Sequence, residues 1–289
     1  MSFLLFAQSH GLNVDYIKAT DKIEHCGTHA KPKSSNGRYR FNGTDGWVMD
    51  WSIDTTVHFY GDKTVKTFTD ADKKAWAENK RKEEQAEQRK YAEAAQRAAD
   101  VLKFAKSKTH YYLNSKGFPD ALGLVVEHVL VIPMRNLDTN ALQGIQSIEW
   151  DGETKSYIKK MFYGMKAKGA VLRMGNKTAS EHFLCEGYAT ALSIEAALRQ
   201  LRLNASVVVC FSAGNLVHVA SLMQGQRAYV IADNDASGTG EKAAIKTGLP
   251  WSMPDTEGMD ANDVHQASGV MAVCRLVMKA KQSGLRRAA

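Results

Sequence analysis

Five carboxylates near the ends of apolar runs are the residues of this chain best placed to do chemistry. Asp233 and Asp235 flank one asparagine directly after the run "YVIA", and Glu186 follows the run "HFLC". Asp260 and Asp263 stand in the later stretch "MDANDV". Clustered carboxylates raise one another's proton affinity unless a cation neutralises them, and Mg²⁺ takes one or two carboxylates while keeping water or phosphate oxygens. The pattern therefore indicates a metal site for phosphoryl chemistry, in which two ions can hold the attacking and leaving oxygens.

A simpler interpretation of the Asp-Asn-Asp stretch is helix capping. Asp235 or Ser237 could accept hydrogen bonds from the first amides of a helix that begins near Gly238. Under the metal-site interpretation, Gly238 and Gly240 would instead let the backbone approach a phosphate. The other acids at matching strand ends favour the metal site.

Alternating apolar strands and helical stretches position these acids. From residue 180 onward, "HFLCEG", "SVVVCF", "AYVIADND" and "PWSMPD" are each followed by a stretch with helical character. Repeated βα units with nearly continuous apolar strands predict a parallel sheet flanked by helices, with sites at the carboxyl ends of the strands. Neighbouring strand ends lie about 5 Å apart, so acids distant in sequence can converge there.

The chain before residue 180 divides into three parts by composition. Residues 1–69 predict a small β-rich unit, with hairpin signals at Asn36-Gly37, Asn42-Gly43 and Asp45-Gly46 and with Trp47, Met49 and Trp51 alternating along a half-buried strand. Residues 70–106 contain no Gly or Pro and predict a long, charged, solvated helix that links two domains. Residues 107–179 predict a basic mixed α/β segment before an α/β domain at 180–289.

Basic side chains interleaved with aromatic ones suggest contacts to nucleic acid. The stretch 155–177 carries seven Lys and Arg residues, including Lys177, and Gly164 and Gly169 give it a loop-like character. Lys160, Lys166, Lys168 and Arg173 are the candidate phosphate-binding residues here, although an ordinary solvated loop is the alternative. Arg38 and Arg40, beside Tyr39 and Phe41, are weaker candidates because such alternation also fits a merely amphipathic strand.

Composition limits the classes of partner. The net charge of +7 and the pI of about 9.1 permit a polyanionic partner. No apolar run approaches the roughly 20 residues that span a bilayer, and the first residues lack a signal-peptide pattern. The four cysteines form no CxxC pair, and Cys185 and Cys210 lie in apolar runs that suit buried, reduced thiols. We expect a cytoplasmic protein with no membrane partner.

The strand-end motifs resemble a known family. "EGYATALSIEAAL", "VIADNDASGTGEKAA" and "MDANDV", in this order and spacing, are similar to the TOPRIM domain, and most of all to that of plasmid- and phage-type DNA primases. Glu186, Asp233 and Asp235 match the family's Glu and Asp-x-Asp, while Thr190 stands where cellular primases usually carry another Asp. Pieces such as "YYLNSKGF" and "VIPMRNLDTNALQGIQSI" extend the likeness over about residues 107–275, and "KPKSSNGRY" with "GWVMDW" extends it weakly to the N-terminal unit.

The resemblance implies synthesis of short RNA primers on single-stranded DNA from nucleoside triphosphates, with Mg²⁺ or Mn²⁺. Asp233, Asp235 and Glu186 would be metal ligands, with Glu186 also a candidate proton acceptor, and Asp260 and Asp263 would be supporting ligands. We expect no zinc, because only His25, Cys26 and His29 cluster and no second pair completes a tetrahedral site. A separate replicative helicase is implied, since no Walker A motif occurs in these residues.

Two alternatives come from other activities. A TOPRIM nuclease would use the same acids to cleave phosphodiester bonds, and an accessory protein would bind single-stranded DNA without catalysis. A topoisomerase fits less well because the chain offers no evident tyrosine-bearing strand-passage module.

Overall fold

The computed structural model describes residues 2–53, 56–61, 70–176 and 178–288. Lys177 of the predicted basic stretch and residues 62–69 of the predicted N-terminal unit lie outside these ranges. The chain divides into two compact units, Met1–Ala77 and Glu78–Ala289. None of the described helices is long and apolar enough to cross a membrane.

The first unit is a helix on an antiparallel sheet. Within its described residues the five strands pair in chain order. Its elements are α1 (Phe3–Ser9), β1 (Leu12–Asn13), β2 (Thr20–Thr28), β3 (Gly37–Phe41), β4 (Gly46–Asp50) and β5 (His58–Tyr60). The Asn42 side chain accepts hydrogen bonds from the amides of Thr44 and Asp45 and so forms the predicted β3–β4 turn, whereas Gly37 and Gly46 begin strands.

The strands of this unit are amphipathic. Tyr39, Val48 and Phe3 are buried in one cluster, and Phe41 stacks on Phe3 with the ring centroids 4.4 Å apart. Because successive strand residues point to opposite faces, the neighbouring Trp47 and Met49 lie on the other face. The predicted alternation is therefore present, but the buried positions of β4 are Val48 and Asp50. Trp47 and Met49 are only partly buried, and Trp51 lies beyond the strand.

The long helix α2 (Asp70–Lys103) follows, and it is not solvated throughout. Its residues from Glu78 to Lys90 are exposed, as predicted. Ala94 and Ala98, however, are fully buried against the second unit's apolar clusters, Ala98 beside Val131 and Ile145. Small alanine side chains one helical turn apart let this end of the helix approach the sheet closely.

The basic segment consists of antiparallel strands and one short helix. These elements are β6 (Lys106–Lys108), α3 (Tyr111–Ser115), β7 (Gly123–Val126), β8 (Val129–Asn136), β9 (Leu142–Asp151), β10 (Ser156–Met161) and β11 (Ala170–Gly175). The stretch 155–177, predicted to be loop-like, thus contains two strands on either side of a loop at 162–169.

The last part alternates strands and helices, as the sequence predicts. These elements are β12 (Glu181–Cys185), α4 (Tyr188–Gln200), β13 (Ala205–Val209), α5 (Ala213–Leu222), β14 (Arg227–Ile231), α6 (Thr239–Thr247), β15 (Trp251–Ser252), α7 (Ala261–Ser268) and α8 (Val270–Ala288). The pairs β12–β13, β12–β14 and β14–β15 are parallel. Helices cover both faces, since Val207 and Val209 pack towards α4 and α8 while Val208 packs towards α5 and α6.

One continuous sheet joins the basic segment to the βα units. In the described part of the chain its strands run in the order β10-β9-β8-β11-β13-β12-β14-β15, with β6 and β7 attached beside β8. Strand β11 makes the connection, because it pairs antiparallel with β8 at Ala170 and with β13 from Leu172 to Gly175. The mixed α/β class predicted from the sequence is confirmed.

Candidate active site

Three of the predicted acids line one pocket at the carboxyl ends of the parallel strands. Glu186 directly follows β12, Asp233 lies two residues beyond β14, and Asp260 immediately precedes α7. The pocket has a volume of about 180 Å³. Lys116, Gln146 and Lys159 also line it; Gln146 lies on β9, Lys159 lies on β10, and Lys116 follows α3.

The central residue of the Asp-Asn-Asp stretch holds two acidic loops together. The Asn234 amide donates to the carbonyl oxygen of Met259 at 3.0 Å, and its side-chain Nδ2 donates to the carbonyl oxygen of Pro254 at 3.0 Å. Asn234 and Met259 form an isolated antiparallel bridge. Because Asp233 and Asp260 flank these two bridging residues, the bridge brings the loops that carry them side by side.

Asp260 and Asp263 have different positions. Asp260 is the N-cap of α7 and accepts hydrogen bonds from the amides of Asn262 and Asp263. Its second oxygen accepts a hydrogen bond from Thr190 Oγ1 at 3.2 Å, which leaves it in the pocket. Asp263 turns back to accept the Asp260 amide at 3.0 Å and completes a capping box. The structure therefore does not bring Asp263 into the pocket, and its role as a metal ligand stays a prediction.

Asp235 caps the start of α6, as the simpler interpretation of the sequence holds. Its Oδ1 accepts the amides of Ser237 and Thr239 and the Ser237 hydroxyl, and its Oδ2 accepts the Gly240 amide at 2.8 Å. These hydrogen bonds, above all that from the Ser237 hydroxyl, lower the pKa of Asp235 to about 2. Since a carboxylate oxygen has two lone pairs, Oδ2 can still accept a second donor or a cation.

Gly240 is required by the packing of the chain on itself. A Cβ atom at this position would lie 2.2 Å from the carbonyl oxygen of Asp233. The helix α6 therefore presses its first turn against the backbone that carries the pocket acid. The role expected for Gly240, close approach to a phosphate, does not follow from this position, because the protein's own carbonyl occupies the space.

The pocket acids repel one another and are partly removed from water. Burial, followed by Asp260 and Glu186, raises the pKa of Asp233 to about 7, although Lys159 opposes the shift. Burial and then Asp235 raise the pKa of Glu186, while a hydrogen bond from the Ala213 amide and Lys159 lower it. Asp233 Oδ1 is buried and has no hydrogen-bond partner among the described residues. The surrounding cations and hydrogen-bond donors of the protein therefore compensate only part of the negative charge of these acids.

These features fit a hard divalent cation bound by a pair of carboxylates. An unpartnered buried carboxylate oxygen with acidic neighbours is the donor that Mg²⁺ prefers, and Mg²⁺ keeps several waters and needs only one or two carboxylates. Across the described ranges, no group of three or more Asp, Glu, His or Cys side chains is gathered closely enough to hold a metal ion. The geometry fits an ion held by Asp233 with a neighbouring carboxylate, and the full five-residue set named from the sequence stays a prediction.

Two lysines line the pocket, and the sequence did not single them out. Lys159 lies on β10, and its Nζ is 5.7 Å from the centre of the Tyr112 ring. Lys116 is the C-cap of α3, and its carbonyl oxygen accepts a hydrogen bond of 2.8 Å from Nδ2 of the buried Asn262. The two-residue period of a strand predicts that Lys159 and Lys160 point to opposite faces, so the sequence could have distinguished them. The residues next to Lys116 in the sequence do not indicate that it lines a pocket.

Phe211 adds a strained backbone position to the pocket wall. It has φ +66, a left-handed conformation that costs a bulky residue free energy. Its amide donates to the carbonyl oxygen of Glu186 at 2.9 Å. The strain therefore accompanies a contact that fixes the backbone of a pocket acid.

The basic residues predicted to bind nucleic acid lie outside the pocket. Lys160 lies next to Lys159 on β10 and points to the opposite face of the strand. Lys166 and Lys168 lie in the loop 162–169, and the exposed Arg173 of β11 lines a separate cavity with Arg135.

The two arginines of the first unit have protein partners. Arg40 forms an exposed ion pair with Asp21 at 2.7 Å, and the Arg38 guanidinium lies 5.0 Å from the centre of the Trp51 ring. Tyr39 and Phe41, expected beside them, are on the buried face of the same strand. Contact of any of these basic residues with nucleic acid stays a prediction.

Comparison with known proteins identifies the domain that carries the acids. Residues 181–270 match the family model described as the Toprim domain. A search of curated proteins found no significant match. The chain therefore contains a Toprim domain over its βα units, and this domain fits primase, nuclease or topoisomerase-like activity on nucleic acids.

Proposed function

We propose that this protein is a DNA primase, which synthesises short RNA primers on single-stranded DNA. The observation that supports this most is the composition of the pocket. Acids of the Toprim domain line it together with Lys116, Lys159 and Gln146 of the preceding segment, which belongs to the same sheet. A pocket that holds both carboxylates and lysines suits a nucleoside triphosphate, whose phosphates require both metal ions and basic side chains.

The acids would share the work of metal binding and proton transfer. Asp233 and Asp235 would hold Mg²⁺, or Mn²⁺ in its place, with Glu186 or Asp260 as the further ligand. When bound, the ion would stabilise charge on the phosphoryl group. The raised pKa of Glu186 suits a proton acceptor. The 3′-hydroxyl of the growing primer would lose its proton to Glu186, its oxygen would bond to the α-phosphorus, and the bond to pyrophosphate would break.

The basic residues would position the two substrates. Lys159 and Lys116 would contact the triphosphate, because both residues line the acid pocket. Lys160, Lys166, Lys168 and Arg173 would contact the backbone of the template or primer outside it. Arg38 and Arg40 would contact single-stranded template from the first unit, whose exposed face also carries Trp47 and Phe59 in register with Arg40.

The proposal includes a biological setting. The primer would serve replication of a phage or plasmid in the cytoplasm of the host, and a separate replicative helicase would open the duplex. Single-stranded DNA and nucleoside triphosphates are then the substrates.

A gel assay of primer synthesis tests the proposal. Protein is mixed with short single-stranded DNA templates, labelled ribonucleotides and Mg²⁺, and the products are resolved by size. We expect short RNAs that disappear with EDTA and in Asp233→Ala but persist in Asp255→Ala. Asp255 is a matched control because it is exposed, pairs with Lys279 and lies outside the acid pocket.

Other outcomes point to the alternative activities. Cleaved template without new RNA would identify a Toprim nuclease using the same acids. If neither product forms, also with an added helicase, and Asp233→Ala binds single-stranded DNA as wild type does, the protein is a non-catalytic accessory protein.

A further inference from the structure

A second cavity lies in the antiparallel part of the second unit, and it shares no lining residue with the acid pocket. Its volume is about 470 Å³, within the range typical of sites for small ligands. The cavity is formed by the connection from β6 to α3, by α3 itself and by the β7–β8 turn. The side chains that matter below are Lys108, His110, Tyr111, Asn114, Glu127 and His128.

His110 joins two walls of this cavity. Its Nδ1 accepts a hydrogen bond from the Tyr112 amide at 3.1 Å, so Nδ1 carries no hydrogen. Its Nε2 is 2.9 Å from the carbonyl oxygen of His128 and must be the donor in that bond. Both ring nitrogens are therefore committed to the backbone, and the ring fixes α3 to the β7–β8 turn.

The β7–β8 turn is strained where it meets the cavity. Glu127 has φ +53, which is uncommon for a residue other than glycine. The strained residue directs its carbonyl oxygen towards Lys108, whose Nζ donates to it at 3.0 Å. An ammonium group has three donors, so Lys108 keeps two for a ligand. Strained backbone of this kind clusters at sites that clamp ligands.

The exposed side of α3 presents an aromatic ring and a free amide to the cavity. Tyr111 is 83% exposed although it is a large amphipathic residue, whereas Tyr112 and Leu113 behind it are buried. Asn114 lies three residues after Tyr111 and therefore on the same side of the helix. Its side-chain amide has no hydrogen-bond partner among the described residues, so one donor group and one acceptor are both available.

We propose that this cavity receives one nucleotide of a single nucleic-acid strand. Its base would stack on Tyr111, the edge of the base would bond to the Asn114 amide, and its phosphate would contact Lys108. A base has a planar face and an edge with donors and acceptors, and single strands are bound by such stacking on exposed aromatic rings beside basic groups.

The position of α3 connects this cavity to the acid pocket. His110 at the start of α3 lines the cavity, and Lys116 at its end lines the acid pocket. A helix of five residues spans only about 8 Å. A strand that occupies the acid pocket can therefore reach the cavity within a few nucleotides. The identification of the ligand as a strand, and not as another planar anion, rests on the proposed function.

Binding of abasic strands tests the proposal. Fluorescence anisotropy is measured with labelled single-stranded DNA in which one base at a time is removed, with wild type, Tyr111→Ala and Tyr111→Phe. Neither nucleoside triphosphates nor divalent ions are added, so no chemistry is required and the result does not depend on primer synthesis. Phe104→Ala is the matched control, because Phe104 is 74% exposed in the same unit and does not line the cavity.

We expect Tyr111→Ala to weaken binding of the intact strand about 5- to 100-fold, the usual effect of losing one stacked base, with Tyr111→Phe and Phe104→Ala near wild type. Removal of the base at one particular position of the strand should weaken its binding to wild type to the same extent. The same removal should not weaken its binding to Tyr111→Ala any further. If no abasic position shows this coupling, the proposal is overturned. Tyr111-dependent binding of free mononucleotides without coupling in the strand would also overturn it, because the site would then serve a soluble nucleotide.

Discussion

The hydroxyl of Thr190 donates a hydrogen bond to Asp260 Oδ2 across 3.2 Å, and it joins the first turn of α4 to the residue that begins α7. The two residues are separated by 70 positions in the sequence. Thr190 is buried and lines the acid pocket, where its hydroxyl holds the carboxylate of Asp260. It is a positioning residue at a place where cellular primases usually carry another Asp.

Thr190→Val should impair catalysis more than folding. The substitution keeps the shape of the side chain and removes the donor to Asp260, which then loses one of its fixed contacts. Loss of such an orienting partner typically lowers activity or metal affinity about 10- to 100-fold, while the free energy of unfolding should fall by only about 1 kcal/mol. Primer synthesis and thermal unfolding measure the two effects. Thr190→Ser keeps the hydroxyl and should stay close to wild type; equal losses in both variants would contradict this role.

Lys159 and Lys160 should differ strongly although they are neighbours. Lys159 lines the acid pocket and Lys160 points to the opposite face of β10, so only Lys159→Ala removes a charge from the pocket. Loss of a charged hydrogen bond to phosphate corresponds to about a 10- to 100-fold reduction in kcat/KM for the nucleoside triphosphate. Lys160→Ala should change this value only slightly. Steady-state kinetics at constant ionic strength compare the two, and the reverse order would show that the wrong face of the strand binds the substrate.

The stability of the protein should depend on pH through Asp233. In the unfolded chain this carboxyl has a pKa of about 3.9, and in the folded protein the value is about 7. Between these values the folded state holds more protons, so the free energy of unfolding decreases as pH rises, by up to about 4 kcal/mol in total. Asp233→Asn should abolish this pH-dependent contribution. As pH rises from about 4 to 7, the variant should therefore become more stable relative to wild type.

Urea unfolding of both proteins at several pH values, without divalent ions, measures this difference. The comparison isolates Asp233, because the other titrating groups are common to both proteins. Asp255→Asn serves as the control and should leave the pH dependence unchanged. A difference between wild type and Asp233→Asn that does not vary with pH would contradict the perturbed pKa.

Addition of Mg²⁺ should stabilise the folded protein. A ligand that binds only the folded state at about 100 times its dissociation constant adds about 2.7 kcal/mol, which corresponds to roughly 5 to 10 °C in melting temperature. The shift should be absent in Asp233→Asn and reversed by EDTA in wild type. Differential scanning calorimetry makes the measurement. An equal shift in Asp233→Asn would show that Mg²⁺ binds elsewhere.

Gly240→Ala should destabilise the protein, while Gly214→Ala should not. A Cβ atom at Gly240 would lie 2.2 Å from a backbone oxygen that cannot rotate away, whereas one at Gly214 would meet nothing within 4 Å. Forced backbone shifts of this kind cost about 1 to 3 kcal/mol, and alanine in the helix α5 is favoured over glycine by up to about 1 kcal/mol. Chemical denaturation of both variants measures the two effects. A stable Gly240→Ala protein would mean that α6 can move away from Asp233.

The acids were predictable from the sequence because Glu186 and Asp233 closely follow apolar strands and Asp260 lies in the loop beyond the next strand. Strand ends of a parallel sheet share one edge, so the sequence indicated that Glu186, Asp233 and Asp260 would meet there. It could not distinguish Asp260 from Asp263, which differ only in which of them points back into the capping box. The same limit applied to Asp235, where capping and metal binding require the same residue type in the same place.

The basic residues were harder to assign because their surroundings come from distant parts of the chain. Lys116 enters the pocket because Asn262 binds its carbonyl oxygen across 146 positions. Lys159 is one of the seven basic residues of the stretch 155–177. The glycines nearby suggested a loop, so the two-residue period of β10 was not recognised from the sequence. Likewise Ala94 and Ala98 look like ordinary helix-forming residues, and only the sheet beneath them makes α2 partly buried.

The position of β11 between β8 and β13 has a consequence for how the Toprim domain can be isolated. A fragment that begins near residue 180 would keep every residue of the family match and lose β11, leaving β13 as an unpaired edge. That strand is buried along its whole length and carries three consecutive valines without a charge or a proline. Bare apolar edges of this kind pair with one another between molecules. The excised domain should therefore aggregate on expression, because in the whole protein β11 covers this edge of the Toprim sheet.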